Sequence, residues 1–206
     1  MSEDRYIVEV AGPIGSGKST VVNLLANQLP DARAIYFDHY EQFTESPAHS
    51  FLQDLEHNAA VDRFAVPQWV EHLAQLKRGE SIVNPATGET IEPGKFVVAE
   101  CPLGRQIKEL TDEVDFLVWI DVPLDVALAR KAKEFVSSVG SDSRECADFI
   151  GWFDEYLENY LDTTRNLLLW QEAVIKPDAN ACFDGMFPPD ELCLKIKHEL
   201  FRSLGM

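Results

Sequence analysis

The chain has 206 residues, with 35 Asp or Glu against 18 Lys or Arg, so its formal net charge is -17. Such a charge repels the phosphates of nucleic acid and anionic membrane surfaces, and we expect neither as a partner. The N-terminus is acidic and polar, and no stretch reaches the roughly 18 consecutive apolar residues of a membrane span. Because the four cysteines are widely spaced, we expect reduced thiols and a cytoplasmic protein.

Short apolar runs rich in β-branched and aromatic residues predict five strands that are covered on both faces of a sheet. These runs lie at residues 6–11, 34–37, 95–100, 115–121 and 179–184. Segments with helical spacing lie at 18–29, 67–77, 123–138, 147–172 and 189–203. This order predicts a single α/β domain over residues 1–206, with a five-stranded parallel sheet flanked by helices.

The segment SIVNPATGETI differs from its surroundings because two β-prone pieces flank a turn cluster of Asn84, Pro85 and Gly88. Such a cluster between two strand-like pieces is typical of a hairpin. We therefore predict a small β-hairpin insertion at about residues 81–92, beside the main sheet.

A glycine-rich stretch, GPIGSGKST, follows the first predicted strand and leads into the first predicted helix. It matches the P-loop pattern G-x-x-x-x-G-K-[ST], in which backbone N–H groups and the helix N-terminus hold phosphates. We expect Lys18 to reach the β and γ phosphates and Ser19 to coordinate Mg²⁺. Because the chain contains no N-K-x-D string, ATP is favoured over GTP. The expected nucleotide-binding residues are Gly12, Gly15, Ser16, Gly17, Lys18, Ser19 and Thr20.

The second predicted strand leads into FDHY, which puts Asp38 at the sheet edge where open α/β folds bind ligands. A carboxylate there can accept the proton of a hydroxyl that attacks the γ phosphate, so Asp38 is the predicted catalytic base. Tyr40 and His39 are predicted to line the acceptor pocket. A capping role for Asp38 and a partly buried position for Tyr40 are the alternatives.

The third predicted strand leads to Glu100 at the same edge, followed closely by Arg105. Glu100 is predicted to hold Mg²⁺ through water or to bind a substrate hydroxyl, and the alternative is a solvated carboxylate. Arg105 is predicted to clamp an anionic group of the substrate, and a surface salt bridge explains it equally well.

A basic cluster of Arg130, Lys131 and Lys133 stands out in this acidic chain and precedes a polar segment that contains Gly140. We predict a lid at about residues 130–147, with Arg130 stabilising the transferred charge and Arg144 as a second cation. The alternative is a solvated helix face in which Arg130 pairs with Glu134.

Several of these motifs together resemble the uridine kinase and phosphoribulokinase branch of the P-loop small-molecule kinases. The similar stretches are GPIGSGKST, YFDHY, PQWVEHLAQLKRGESI, WIDVPLDVALAR and PDANACFDG. The resemblance implies a P-loop NTPase fold and transfer of the ATP γ phosphate to a hydroxyl. It also implies that Asp38 acts as the base and that Lys18 and Ser19 bind ATP and Mg²⁺. By the same resemblance, Arg130 would stabilise the transferred charge and Asp62 would bind a sugar. Two departures concern the substrate, because IVNPATGETIEPG lacks the family's aromatic, His and Arg pattern and Cys101 replaces an expected glycine after Glu100.

The predicted function is ATP-dependent phosphorylation of a hydroxyl on a small molecule, and the expected acceptor is a nucleoside or a sugar. One alternative is a nucleotide-binding regulatory module with slow ATPase activity. The other is a nucleoside monophosphate kinase, which needs cations such as Arg33, Arg63 and Arg105 for its acceptor phosphate. Association into a homo-oligomer stays open at this level.

Overall fold

The architecture is known from a computed structural model that describes residues 4–43, 67–139 and 143–206. Five parallel strands form the main sheet in the order β2-β5-β1-β6-β7, and β3 and β4 form a separate antiparallel pair. The strands are β1 Tyr6–Ala11, β2 Ala32–Tyr36, β3 Ile82–Val83, β4 Thr90–Ile91, β5 Phe96–Glu100, β6 Phe116–Asp121 and β7 Ala181–Asp184. The predicted five-stranded parallel sheet and its hairpin are therefore confirmed.

Helices connect the strands and cover both faces of the sheet. The α-helices are α1 Lys18–Gln28, α2 Pro67–Arg78, α3 Leu124–Ser138, α4 Ser143–Asn159, α5 Arg165–Val174 and α6 Pro189–Ser203. Short 3₁₀ segments lie at Phe37–Phe43, Gly104–Gln106, Lys108–Leu110 and Lys176–Asp178. The start of α6 follows from its sequence, because Pro189 fits the first turn and Asp190 and Glu191 complement the positive helix end. Among the helices described here, none combines the length and the apolar character that a membrane span requires.

Alternation along the strands divides the core into two layers. In β1, Ile7 and Ala11 pack into one layer with α2, whereas Val8 and Val10 pack into the other with α1 and α6. Both layers are apolar, which explains why the strands read as nearly continuous hydrophobic runs. Glu9 is the exception, since this carboxylic acid in the central strand is completely buried.

The strand register brings two of the predicted site residues, Asp38 and Glu100, to the same edge of the sheet. β5 lies between β1 and β2, and Glu100 at its end pairs with both Val10 and Tyr36. β2 starts at Ala32 and ends at Tyr36, slightly earlier than predicted, and the chain then turns into the 3₁₀ segment Phe37–Phe43. Asp38 therefore lies two residues beyond the end of β2, close to the end of β5.

The long predicted helix at 147–172 is interrupted. A π-helical turn at Tyr160–Thr164 separates α4 from α5. Two large apolar side chains here lie outside the core, since Ile150 of α4 and Leu161 of the π turn are each 68% exposed. Aromatic rings instead pack among themselves, with Trp152 and Tyr156 contacting Phe135 of α3 at ring distances of 4.9 Å.

Candidate active site

The P-loop occupies the turn between β1 and α1, and its glycines adopt conformations that other residues avoid. Gly15 and Gly17 have φ angles of 76° and 93°, and Gly17 forms the left-handed cap that starts α1. A Cβ atom at position 15 would overlap the carbonyl oxygen of Ala127 in α3, whereas one at position 17 would meet nothing within 4 Å. Gly15 is therefore required both for its dihedral angle and for close packing against α3.

We expect Gly15→Ala to lower the free energy of unfolding by about 2 kcal/mol, because it combines a strained φ angle with a backbone overlap. Gly151→Ala is a matched control, since this α4 glycine is helical and has open space around its Cα. The control should be neutral or slightly stabilising. Chemical denaturation of both variants measures the difference, and equal stabilities would contradict the packing argument.

Lys18 and Glu100 form a shielded pair beneath the P-loop. Their Nζ and Oε1 atoms are 3.9 Å apart, and the side chains are 11% and 8% exposed. Burial lowers the pKa of Lys18 from its ordinary value, while the carboxylates of Glu100 and Asp38 act in the opposite direction. Burial likewise raises the pKa of Glu100, opposed by the positive charge of Lys18 and a hydrogen bond from Ser19.

One cleft joins the P-loop to the carboxylates at the strand ends and has a volume of about 670 Å³. Such a volume is typical of small-molecule sites. The predicted site residues that line it are Gly12, Gly15, Gly17, Lys18, Ser19, Thr20, Asp38, Glu100 and Arg130. Ser16 lies just beneath, 3% exposed, with its backbone N–H donating to the carbonyl of Pro13.

The basic cluster of α3 contributes two cations to the cleft, Arg130 and Lys131. Arg130 donates to the backbone carbonyl of Gly185, at 3.1 Å, just beyond β7. Glu134 pairs with Lys131 at 2.8 Å, so the lysine takes the place of Arg130 in the expected ion pair. The lid itself stays a prediction, because residues 140–142 and the side chain of Arg144 lie outside the described part of the chain.

Tyr40 and Arg105 occupy positions that differ from those expected. The ring of Tyr40 is buried in the core against Trp69, and its hydroxyl is 2.8 Å from Nδ1 of His72. The Arg105 guanidinium bonds to the backbone carbonyls of Val114 and Asp178 and does not line the cleft. Both side chains thus serve the packing of the fold, which corrects their predicted contact with the substrate. Asp62, the remaining predicted substrate contact, lies outside the described residues.

His39 contacts the hairpin. Asn84 accepts hydrogen bonds from the backbone N–H groups of Ala86 and Thr87 through its Oδ1 atom. Its Nδ2 atom therefore donates to Nδ1 of His39, at 2.9 Å. This contact fixes the hairpin against the segment that carries Asp38.

The protein oxygens near the P-loop suit a magnesium ion that is shared with a nucleotide. Within residues 4–43, 67–139 and 143–206, no group of three or more His, Cys, Asp or Glu side chains is arranged to hold a metal. Ser19, Asp38 and Glu100 nevertheless place hard oxygen donors along one cleft, and Mg²⁺ commonly binds through one or two such groups plus phosphates.

One wall of the cleft was not predicted from the sequence. Four residues at spacings of three and four, from the π turn into α5, form a single stripe on it: Thr164, Leu167, Leu168 and Gln171. Facing residues come from the segment that follows β5, namely Pro102 and Leu103. The helical spacing of these four residues can be recognised in the sequence. That they line the same cleft as the P-loop depends on the π turn and on the packing of α5.

Comparison with known proteins finds relatives of this chain by sequence and by fold. No family model matches the chain. Uridine kinase of Escherichia coli strain K12 is 28% identical over 186 residues, which cover 82% of this chain and 81% of the relative. Uridine kinase of Proteus mirabilis strain HI4320 is 29% identical over 179 residues, covering 77% of each chain.

Among solved structures, shikimate kinase from Aquifex aeolicus covers 97% of this chain and 99% of its own length. The TM-score is 0.53 and the sequence identity 21%, so this likeness concerns the fold alone. Together with the P-loop cleft and the uridine kinase relatives, it confirms the predicted P-loop fold and the predicted resemblance. The chain is thus similar over most of its length to uridine kinases, and it shares its P-loop fold with a shikimate kinase.

Proposed function

We propose that this kinase transfers the γ phosphate of ATP, with Mg²⁺, to a hydroxyl group of an uncharged small molecule. One observation carries the proposal. A single cleft joins the P-loop, with Lys18 and Ser19, to the carboxylates of Asp38 and Glu100 at neighbouring strand ends. Phosphoryl transfer needs this combination of a phosphate cradle, cations and a group that accepts a proton.

In this proposal the cations of the cleft bind the phosphates. Lys18, held near Pro13 and Glu100, reaches the β and γ phosphates as a point charge. Lys131 approaches from α3 on the other side. Ser19 and Glu100 are the residues that would hold Mg²⁺, which neutralises charge on the phosphate oxygens when bound.

Asp38 is the proposed base. It is exposed at the cleft and lies just past β2, where its carboxylate is free to approach an acceptor hydroxyl. Its role is to orient that hydroxyl and to accept its proton as the bond to phosphorus forms. The rest of the catalysis is positioning and charge stabilisation.

The acceptor proposed here is a nucleoside or a sugar without a phosphate group. A nucleoside monophosphate kinase would need further cations near Asp38. Arg105 is engaged with backbone carbonyls, and Arg33 pairs with Asp31 at 3.0 Å. Asp38 and Glu100 would also repel an acceptor phosphate, and the names of the relatives favour a nucleoside.

The direct test measures ADP release from Mg·ATP with a panel of nucleosides, pentoses, hexoses, amino sugars and related alcohols. Lys18→Ala serves as the blank, and EDTA should abolish the signal. We expect one class of neutral alcohol to stimulate ADP release and nucleoside monophosphates to give none. An ATPase rate that no alcohol changes would overturn the proposal in favour of a nucleotide-binding module.

A further inference from the structure

The wall of the cleft opposite the P-loop has an apolar surface with one buried amide in it. Leu167 and Leu168 of α5 face the cleft together with Leu103 from the segment after β5. Gln171 lies one turn further along the same stripe and is only 4% exposed. A glutamine so deeply buried in an apolar wall requires partners for both atoms of its amide.

Among the residues that the structure describes, only one atom of that amide has a hydrogen-bond partner. The Nε2 atom of Gln171 donates to the backbone carbonyl of Pro102 at 3.0 Å. Since Nε2 is a donor and Pro102 offers only an acceptor there, this bond fixes which amide atom is the oxygen. The Oε1 atom is buried and makes no hydrogen bond within the described ranges.

We propose that Gln171 is a specificity-determining residue whose Oε1 atom accepts a hydrogen bond from an O–H or N–H group of the phosphate acceptor. The inference rests on the proposed function and narrows its substrate class. The acceptor is an uncharged alcohol with an apolar face that packs on Leu167, the partly exposed leucine of this wall, and with a donor that reaches Gln171. An anionic group is disfavoured, because the amide oxygen repels it as Asp38 and Glu100 do.

In this proposal, the unpartnered Oε1 atom of Gln171 makes the site select acceptors that carry a hydrogen-bond donor. A compound that supplies the missing donor satisfies a buried oxygen, whereas an analogue without that donor leaves the oxygen unpaired. Gln171 also braces the segment that follows Glu100 through its bond to Pro102. The two roles predict different kinetics. If Gln171 only braces this segment, its loss changes KM equally for every acceptor, whereas loss of recognition changes KM only for acceptors that carry the donor.

The test uses Gln171→Met, which keeps the length of the side chain and removes both hydrogen-bonding atoms. Gln106→Met, outside the cleft, is the matched control. The probe is uridine, compared with 2′-deoxyuridine, 3′-deoxyuridine and 3-methyluridine, each of which lacks one donor. If uridine is not phosphorylated, D-ribose and its deoxy sugars take its place.

We expect Gln171→Met to raise KM for the intact probe by about tenfold, with kcat and KM for ATP nearly unchanged. On one of the analogues the variant and the wild type should have equal KM values. An equal penalty on every analogue, or a loss in kcat alone, overturns the recognition role. If the wild type binds ATP but phosphorylates no alcohol of the panel, the proposed function fails first and this inference fails with it.

Discussion

Asp38→Asn should lower kcat by about 10²–10⁴-fold while the affinity for ATP changes little. The reason is that the amide keeps the size of the side chain but cannot accept the proton of the acceptor hydroxyl. Asp38 lines the cleft but does not belong to the P-loop, so the phosphates should bind as before. Steady-state kinetics with the acceptor from the panel and a separate titration of ATP binding give the two quantities.

Asp112→Asn is the matched control for this substitution, since Asp112 is exposed and does not line the cleft. It should leave both kcat and ATP binding as in the wild type. Turnover by Asp38→Asn within a few fold of the wild type would exclude Asp38 as the base. A parallel loss of ATP binding would instead indicate that Asp38 acts on the nucleotide.

Glu9→Gln should change how the stability of the protein depends on pH. Glu9 is completely buried in β1, and neither oxygen of its carboxyl has a nitrogen or oxygen donor within hydrogen-bonding distance in the described residues. Burial raises the pKa of Glu9 from its ordinary value of 4.5 to about 7, and the neighbouring Cys101 thiol and the charge of Arg105 only partly oppose this rise. The native state therefore holds a proton that the unfolded chain releases at lower pH.

The direction of the effect follows from proton linkage. Below about pH 4.5 the carboxyl is protonated in both states, and its contribution to stability is fully present. Between about pH 4.5 and 7 the unfolded chain ionises while the native protein does not, so the free energy of unfolding falls as pH rises. Above about pH 7 both states are ionised and the loss levels off, at about 3 kcal/mol in total.

Because glutamine does not titrate, Glu9→Gln should gain stability relative to the wild type as pH rises through this window. Urea denaturation of both proteins from pH 4.5 to 8 measures the change, and only its pH dependence is diagnostic. Glu109→Gln, at an exposed position, should follow the wild-type curve. A constant difference between Glu9→Gln and the wild type across the window would show that Glu9 is ionised in the native protein.

The P-loop and the sheet were predictable because their signals are local. The run YIVEVA followed by GPIGSGKST specifies a strand, a phosphate-binding turn and a helix within fifteen residues. Asp38 and Glu100 were found for a related reason, since parallel strands present their carboxyl ends at one edge. The register then places Glu100 beside Tyr36, two residues before Asp38.

The roles of Tyr40 and Arg105 were not predictable from the same signals. Tyr40 directly follows two residues at the sheet edge, but the 3₁₀ segment turns its ring inward against Trp69. Arg105 follows β5 closely, yet its partners Val114 and Asp178 belong to distant parts of the chain. Sequence proximity to a strand end does not decide which way a side chain points.

The proposed phosphate-binding loop could be recognised from the amino-acid sequence, because phosphates are bound largely by the backbone of one short segment and by the helix that follows it. The wall formed by the π turn and α5 depends instead on the tertiary structure. Gln171 meets the cleft only because a π turn and the packing of α5 bring it to Pro102, 69 residues earlier in the chain. A hydrogen bond between such distant segments leaves no local pattern in the sequence, so neither this contact nor the Gln171 Oε1 atom, unpartnered within the described residues, was predictable.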